Sequence, residues 1–144
     1  MVGSNGFVLT DLPSDEGCAG YVRGRRMRRC VGCAKCISTA PGACSIDDEA
    51  TPMLAASLAA DVLEIRTSDD GGQFPMPMRK VVERLENILQ AFTDAGGNVP
   101  LDRSTVGLSE IRIVLEGGHG PEFEELSKKM LLNGPVGRIS FTDI

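Results

Sequence analysis

The run Asp61-Val62-Leu63-Glu64-Ile65-Arg66, then Thr67-Ser68-Asp69-Asp70-Gly71-Gly72, then the segment from Met78 to Phe92 decides the fold of this 144-residue chain. The first six residues have the length and composition of a strand, and the next six are strong turn formers. In the third part Met78, Val81, Val82, Leu85, Ile88, Leu89 and Phe92 recur at steps of three and four. That spacing predicts a helix with one apolar stripe facing a core, closed by Gly96-Gly97. Strand, Gly-bearing loop and helix in succession are the building unit of a parallel α/β sheet.

The unit recurs on both sides. Downstream, Glu110 to Leu115 reads as a strand and Glu116-Gly117-Gly118-His119-Gly120 as its loop. Pro121 then opens a helix with acids at 122, 124 and 125 and Lys128-Lys129 towards its end, matching the macrodipole, and Asn133-Gly134 stops it. Arg138 to Ile144 reads as a last strand. Upstream, Gly6 to Leu12 is a strand stopped by Pro13, and Asp47-Asp48-Glu49-Ala50-Thr51-Pro52 starts a helix that runs to Ala59. The expectation is one α/β domain over residues 1–144, a shortened three-layer sandwich whose mostly parallel sheet has about four strands, with right-handed crossovers and a cysteine-rich loop at 18–48. In such sheets ligands gather where the carboxyl ends of strands meet Gly-rich loops, here Thr67 to Gly72 and Gly117 to Gly120.

Composition excludes several classes. No apolar run approaches the ~18 residues of a membrane span, and the N-terminus has no basic segment followed by an apolar core, so a cytoplasmic protein without a membrane partner is expected. A net charge of -5, no Trp, one Tyr and five Phe argue against nucleic acid as a partner. Six of the fifteen basic side chains nevertheless crowd between Arg23 and Lys35.

Four of the five cysteines, Cys30, Cys33, Cys36 and Cys44, are close together, and Cys18 stands apart as a free thiol. A reducing compartment and an odd count favour metal over disulfides. Three thiols at intervals of two residues, separated by small residues such as Gly32 and Ala34, can wrap an iron-sulfur cubane, and the fourth completes its ligation. The interval to Cys44 is longer than in bacterial ferredoxins and no Pro follows it. A structural zinc on four thiolates is the alternative, although its usual pattern is two separated pairs. Unligated thiols are the third reading. The arginines before Cys30 have three readings of their own: a field that favours the reduced form of an anionic cluster, a solvated basic face, or a contact for a phosphate-bearing cofactor or an acidic redox partner.

Cys-Val-Gly-Cys-Ala-Lys-Cys from Cys30, Gly-Ala-Cys-Ser-Ile-Asp-Asp through Asp48, Ala-Ala-Asp-Val-Leu-Glu-Ile from Ala59 and Met-Arg-Lys-Val-Val-Glu-Arg-Leu through Leu85 resemble the iron-sulfur flavoproteins of the NADPH-dependent FMN reductase group, within the flavodoxin-like superfamily. The resemblance covers Phe7 to the end, and the cysteine motif is its specific part. It implies FMN, a four-iron four-sulfur cluster on Cys30, Cys33, Cys36 and Cys44, and electron transfer between donors and acceptors. Flavin contacts would come from Thr67, Ser68, Gly71, Gly72, Phe74, Gly117, Gly118 and His119. The chain departs from the group in lacking the phosphate-holding loop after a first strand, since Ser4-Asn5-Gly6 precedes its strand, and in carrying Asp69 and Asp70 where a flavin edge would lie.

The expectation is therefore an electron-transfer protein with one 4Fe-4S cluster and FMN binding that is weakened or supplied jointly with a partner, the partner being a redox protein or a flavin. An intact FMN-dependent NAD(P)H oxidoreductase and a zinc-stabilised binding module are the alternatives. No triad, paired-carboxylate cleft or Gly-Lys phosphate grip is assembled, so no residue is assigned a catalytic role. A homodimer or partner subunit is also expected. A first strand at the sheet edge would leave the centre vacant, and the last strand would expose Ile139 and Phe141.

Overall fold

The computed structural model of the chain describes residues 5–29, 48–94 and 107–144, with only the helical backbone for 91–94. The order is strand β1 (Gly6–Thr10), a 3-10 turn (Pro13–Asp15), helix α1 (Thr51–Ala59), strand β2 (Val62–Thr67), helix α2 (Met78–Asp94), strand β3 (Glu110–Leu115), helix α3 (Pro121–Leu131) and strand β4 (Arg138–Asp143). The expected elements all occur within these residues, and most boundaries shift by one or two positions. Helix α1 starts at Thr51, later than the acids that announce it, because the Asp48 carboxylate accepts the Ala50 amide and holds a turn there. The cysteine loop, from Cys30 to Cys44, lies outside the described residues.

The four strands lie side by side in sequence order, all parallel. Register brings Leu9, Ile65, Ile113 and Phe141 into one row across the sheet, with Phe7, Leu63, Ile111 and Ile139 in the next row on the same face. Both rows join one core with the α2 stripe, in which Met78, Val81, Val82, Leu85, Ile88 and Leu89 are each at most 2% exposed. Met53, Leu54 and Leu58 of α1 and Phe123, Met130 and Leu131 of α3 belong to that same core. Parallel strands added in one direction by right-handed crossovers send every connecting helix to one side, which is the arrangement this shared core requires.

The opposite face carries Val8, Glu64, Arg66, Arg112, Val114 and Ser140, half-buried or exposed, and Thr10, which is buried and donates its hydroxyl to Asp15. Its charges pair locally, Arg66 Nε with Asp15 Oδ2 at 2.9 Å and Arg112 Nε with Glu110 Oε2 at 2.8 Å. The four-stranded parallel sheet with three helices is compatible with the expected sandwich, and among the described residues the three helices share one core on a single face of it. The other face carries Glu64 and Arg66 of β2, Glu110 and Arg112 of β3 and Arg138 and Ser140 of β4, polar residues that suit exposure; a parallel sheet covered on both faces has near-continuous apolar strands.

Two further expectations change. Strand β1 does occupy an edge, but the centre is filled by β2 and β3. Ile139 and Phe141 are half-buried against the core, so they form no exposed apolar patch. Neither feature then calls for a second subunit.

Candidate functional site

The described residues on either side of the cysteine segment are fastened to each other. The Arg26 amide donates to Glu49 Oε2 at 2.5 Å and the Glu49 amide to the Arg26 carbonyl at 3.1 Å. The Arg28 amide donates to Asp48 Oδ2 at 2.9 Å. From α2, Arg84 Nη1 reaches both Asp48 oxygens at 2.8 and 2.9 Å and the Arg28 carbonyl at 3.4 Å, while Lys80 Nζ donates to the Met27 carbonyl at 3.3 Å. Arg29 adds a two-bond pair with Glu83, at 3.1 and 2.8 Å. The Arg84 side chain is fully buried and that of Asp48 is 12% exposed. Burial pushes the Asp48 carboxyl up, but Arg84 and the Arg28 and Ala50 amides outweigh it and hold the group below its ordinary range. The chain thus leaves and re-enters the described structure at one anchored point beside α2.

This anchor is what the sequence reading missed. Arg84 sits in the arc of the helix occupied by Val81, Leu85 and Ile88, and a charge among apolar neighbours at helical spacing is the signal that could have found it.

At the carboxyl ends of the strands the predicted flavin residues have other partners. Thr67 is buried, and its hydroxyl donates to Asp11 Oδ2 at 2.8 Å. Asp11 is itself buried; desolvation pushes its carboxyl up, against the Thr67 hydrogen bond and the charge of Arg23. Ser68 is half-buried beside them. Asp70 and Gln73 exchange backbone hydrogen bonds around Gly71 and Gly72, whose φ values of +62° and +89° are those of a tight turn that side chains disfavour. Phe74 is 1% exposed, its ring packed in the core 4.8 Å from that of Phe123.

Asp69 accepts the Gly72 amide on Oδ1 at 2.7 Å and the Gly120 amide on Oδ2 at 2.8 Å. Gly120 is the N-cap of α3, so an internal carboxylate holds a position that would attract a phosphate. The Gly117 amide donates to the Ile144 carbonyl at 3.3 Å, and Gly118 continues the loop with positive φ. His119 packs on Phe141, ring centroids 5.6 Å apart, with Nδ1 2.5 Å from Asp143 and Nε2 2.6 Å from Glu124. Glu124 first and Asp143 second raise the imidazole pKa, because each carboxylate favours the doubly protonated ring. These residues fit FMN poorly: the Gly72, Gly117 and Gly120 amides are used internally, the Phe74 ring is in the core, and His119 is held between two acids.

A cleft of about 570 Å³ lies between α2 and α3, with Phe74, Leu126 and Met130 as apolar wall and Arg79, Glu86 and Lys129 among its charges. Burial, then the charge of Glu83, pushes the Glu86 carboxyl up. Gly71 and Gly72 close one end, so part of the predicted flavin loop borders a cavity on the helical side of the molecule.

Of the cysteines, Cys18 is described, exposed and free. The proposed ligands Cys30, Cys33, Cys36 and Cys44 lie outside the described residues, and among the described residues no group of three or more His, Cys, Asp and Glu side chains is placed to hold a metal. Nor, among them, is any helix long and apolar enough to cross a membrane. No family model, curated protein or solved structure matches the chain.

Proposed function

We propose that this chain is an electron-transfer protein that holds one iron-sulfur cluster, of the 4Fe-4S type, on Cys30, Cys33, Cys36 and Cys44, in a flavodoxin-like setting that has given up its flavin. The donor set carries the reading: four thiols between residues 30 and 44, three of them at intervals of two, suit a compact cluster better than the paired spacing of zinc sites. The bound cluster would supply reversible one-electron chemistry. The chain's own part is to bring its ligands together and set their surroundings. Arg84, Asp48, Glu49 and the Arg26 and Arg28 backbone join the two ends of the ligand-bearing segment, which offsets much of the entropy of closing that loop around a metal. The arginines from 23 to 29 place positive charge at the start of a segment whose thiolates would be anionic.

The test is metal, sulfide and flavin analysis of anaerobically purified protein, alongside its absorption spectrum. About four irons and four sulfides per chain are expected. Serine replacement of any of the four cysteines should lose iron, and Cys18→Ser should retain it. Stoichiometric zinc without sulfide would overturn the proposal.

A further inference from the structure

Residues 17–46 contain no acid and six of the fifteen bases, which leaves nine bases to set against all twenty acids in the rest of the chain. So lopsided a distribution gives an acidic protein one strongly positive region. Its described part is an arm, residues 23–29, whose backbone is fixed at both ends. Before it, residues 20–22 run alongside β1: the Thr10 amide donates to the Gly20 carbonyl at 3.0 Å and the Val22 amide to the Thr10 carbonyl at 2.9 Å. Its second half, residues 26–28, carries the fastenings to Glu49, Asp48, Lys80 and Arg84 described above. Val22 and Met27 point into the core while Arg23, Arg25, Arg26, Arg28 and Arg29 are exposed.

The countercharges are few. Arg29 pairs with Glu83, and Arg25 Nη1 lies 3.8 Å from Glu49 Oε1. Arg23 donates through Nε to the Asp11 carbonyl, and Asp48 serves Arg84. Among the described residues no carboxylate stands within ion-pair distance of the Arg26 or Arg28 guanidinium; their attachment to the fold is through backbone atoms. A solvated surface needs no fixed backbone beneath it. A docking surface gains from one, since an ordered arm loses little freedom on association.

We propose that the 23–29 arm is a docking surface for the acidic face of a partner protein. Positive charge gathered on one side of a molecule of net charge -5 orients an anionic partner before contact and repels a cationic one. Calling that partner an electron donor or acceptor rests on the function proposed above, because the arm ends where the cysteine segment begins; the docking itself does not depend on it.

The probe is fluorescently labelled poly-L-glutamate of about 20 residues, titrated against the full chain by anisotropy at low and high ionic strength, where the Debye length falls from about 30 Å to about 8 Å. Binding at low salt is expected, weakened tenfold or more at high salt, roughly as steered encounters behave. The double variant Arg26→Gln/Arg28→Gln should weaken low-salt binding about tenfold, because two exposed charges are lost while their backbone bonds remain. Arg112→Gln/Arg138→Gln, on the open face of the sheet, should change it less than about twofold. Equal effects of the two double variants, or none from the first, would overturn the proposal. So would tighter binding of a single-stranded RNA of equal charge, or salt-reversible self-association without any probe. Running the titration on iron-loaded and iron-free chain separates the two readings: docking without iron leaves the surface standing when the cluster fails, and iron without docking does the reverse.

Discussion

Replacing Asp48 by Asn removes the charge that balances a guanidinium with no exposed side-chain surface, and keeps the shape of the site. Withdrawing one partner of a buried pair costs about 3–5 kcal/mol. A chain of this length is stable by roughly 5–15 kcal/mol, so the loss is about a fifth or more of the total. With a urea slope of about 2 kcal/mol per molar, the unfolding midpoint should fall by about 2 M. Arg84→Met should cost less, since Asp48 is 12% exposed and keeps the Arg28 and Ala50 amides as donors. The double variant should be more stable than Asp48→Asn alone, because methionine fills the space without a charge to balance. The assay is urea unfolding followed by far-UV circular dichroism on iron-free protein with thiols reduced. Strict additivity of the two substitutions, or a loss under about 1 kcal/mol for Asp48→Asn, would refute the view that this pair anchors the segment. The pH dependence follows from the depressed carboxyl. Its contribution is complete above the ordinary Asp value of about 4 and disappears as pH falls through the lower folded value, so wild type should lose more stability in acid than Asp48→Asn.

Three other outcomes are expected. His119, raised by Glu124 and Asp143, contributes stability that is complete below about pH 6.5 and lost as pH rises through its folded value. Urea midpoints should therefore fall with rising pH in wild type and stay flat across that range in His119→Asn, and Glu124→Gln should lower the imidazole pKa read by NMR. Asp69→Ala leaves the Gly72 and Gly120 amides without their acceptor, costs about 1–3 kcal/mol, and should make the variant more stabilised by inorganic phosphate than wild type. Tight one-to-one FMN binding by wild type, measured by flavin fluorescence, would contradict this account of the loops. Gly20→Ala would place a methyl group on the Val8 carbonyl, so the 18–22 stretch must leave β1; a thermal midpoint within a degree of wild type would show that the close approach is not needed.

The sequence by itself determined the elements and their kind. Helix α2 is legible because its apolar residues repeat at 3.6 within seventeen positions, and β2 and β3 because each has the length and composition of a strand. These signals are local, so no tertiary information is needed to read them. The cysteine spacing is local in the same sense, and the metal proposed for it rests on that spacing alone. Glu64 and Arg66 on β2 and Arg112 on β3 also carry the information on which face of the sheet the described helices do not pack. What tertiary structure decided is which groups meet. Asp69 reads as an obstacle to flavin, but only the approach of two loops 51 residues apart makes it the acceptor for the N-cap amide of α3. Phe74 lies in a polar loop and is drawn inward because Phe123 provides a surface for it. Arg84 looks like a misplaced charge on an apolar stripe until Asp48, 36 residues earlier, returns beneath it. Periodicity records which side of an element faces inward; it carries no record of what waits there, because hydrogen bonds and ion pairs between distant segments depend on positions that the whole fold sets at once.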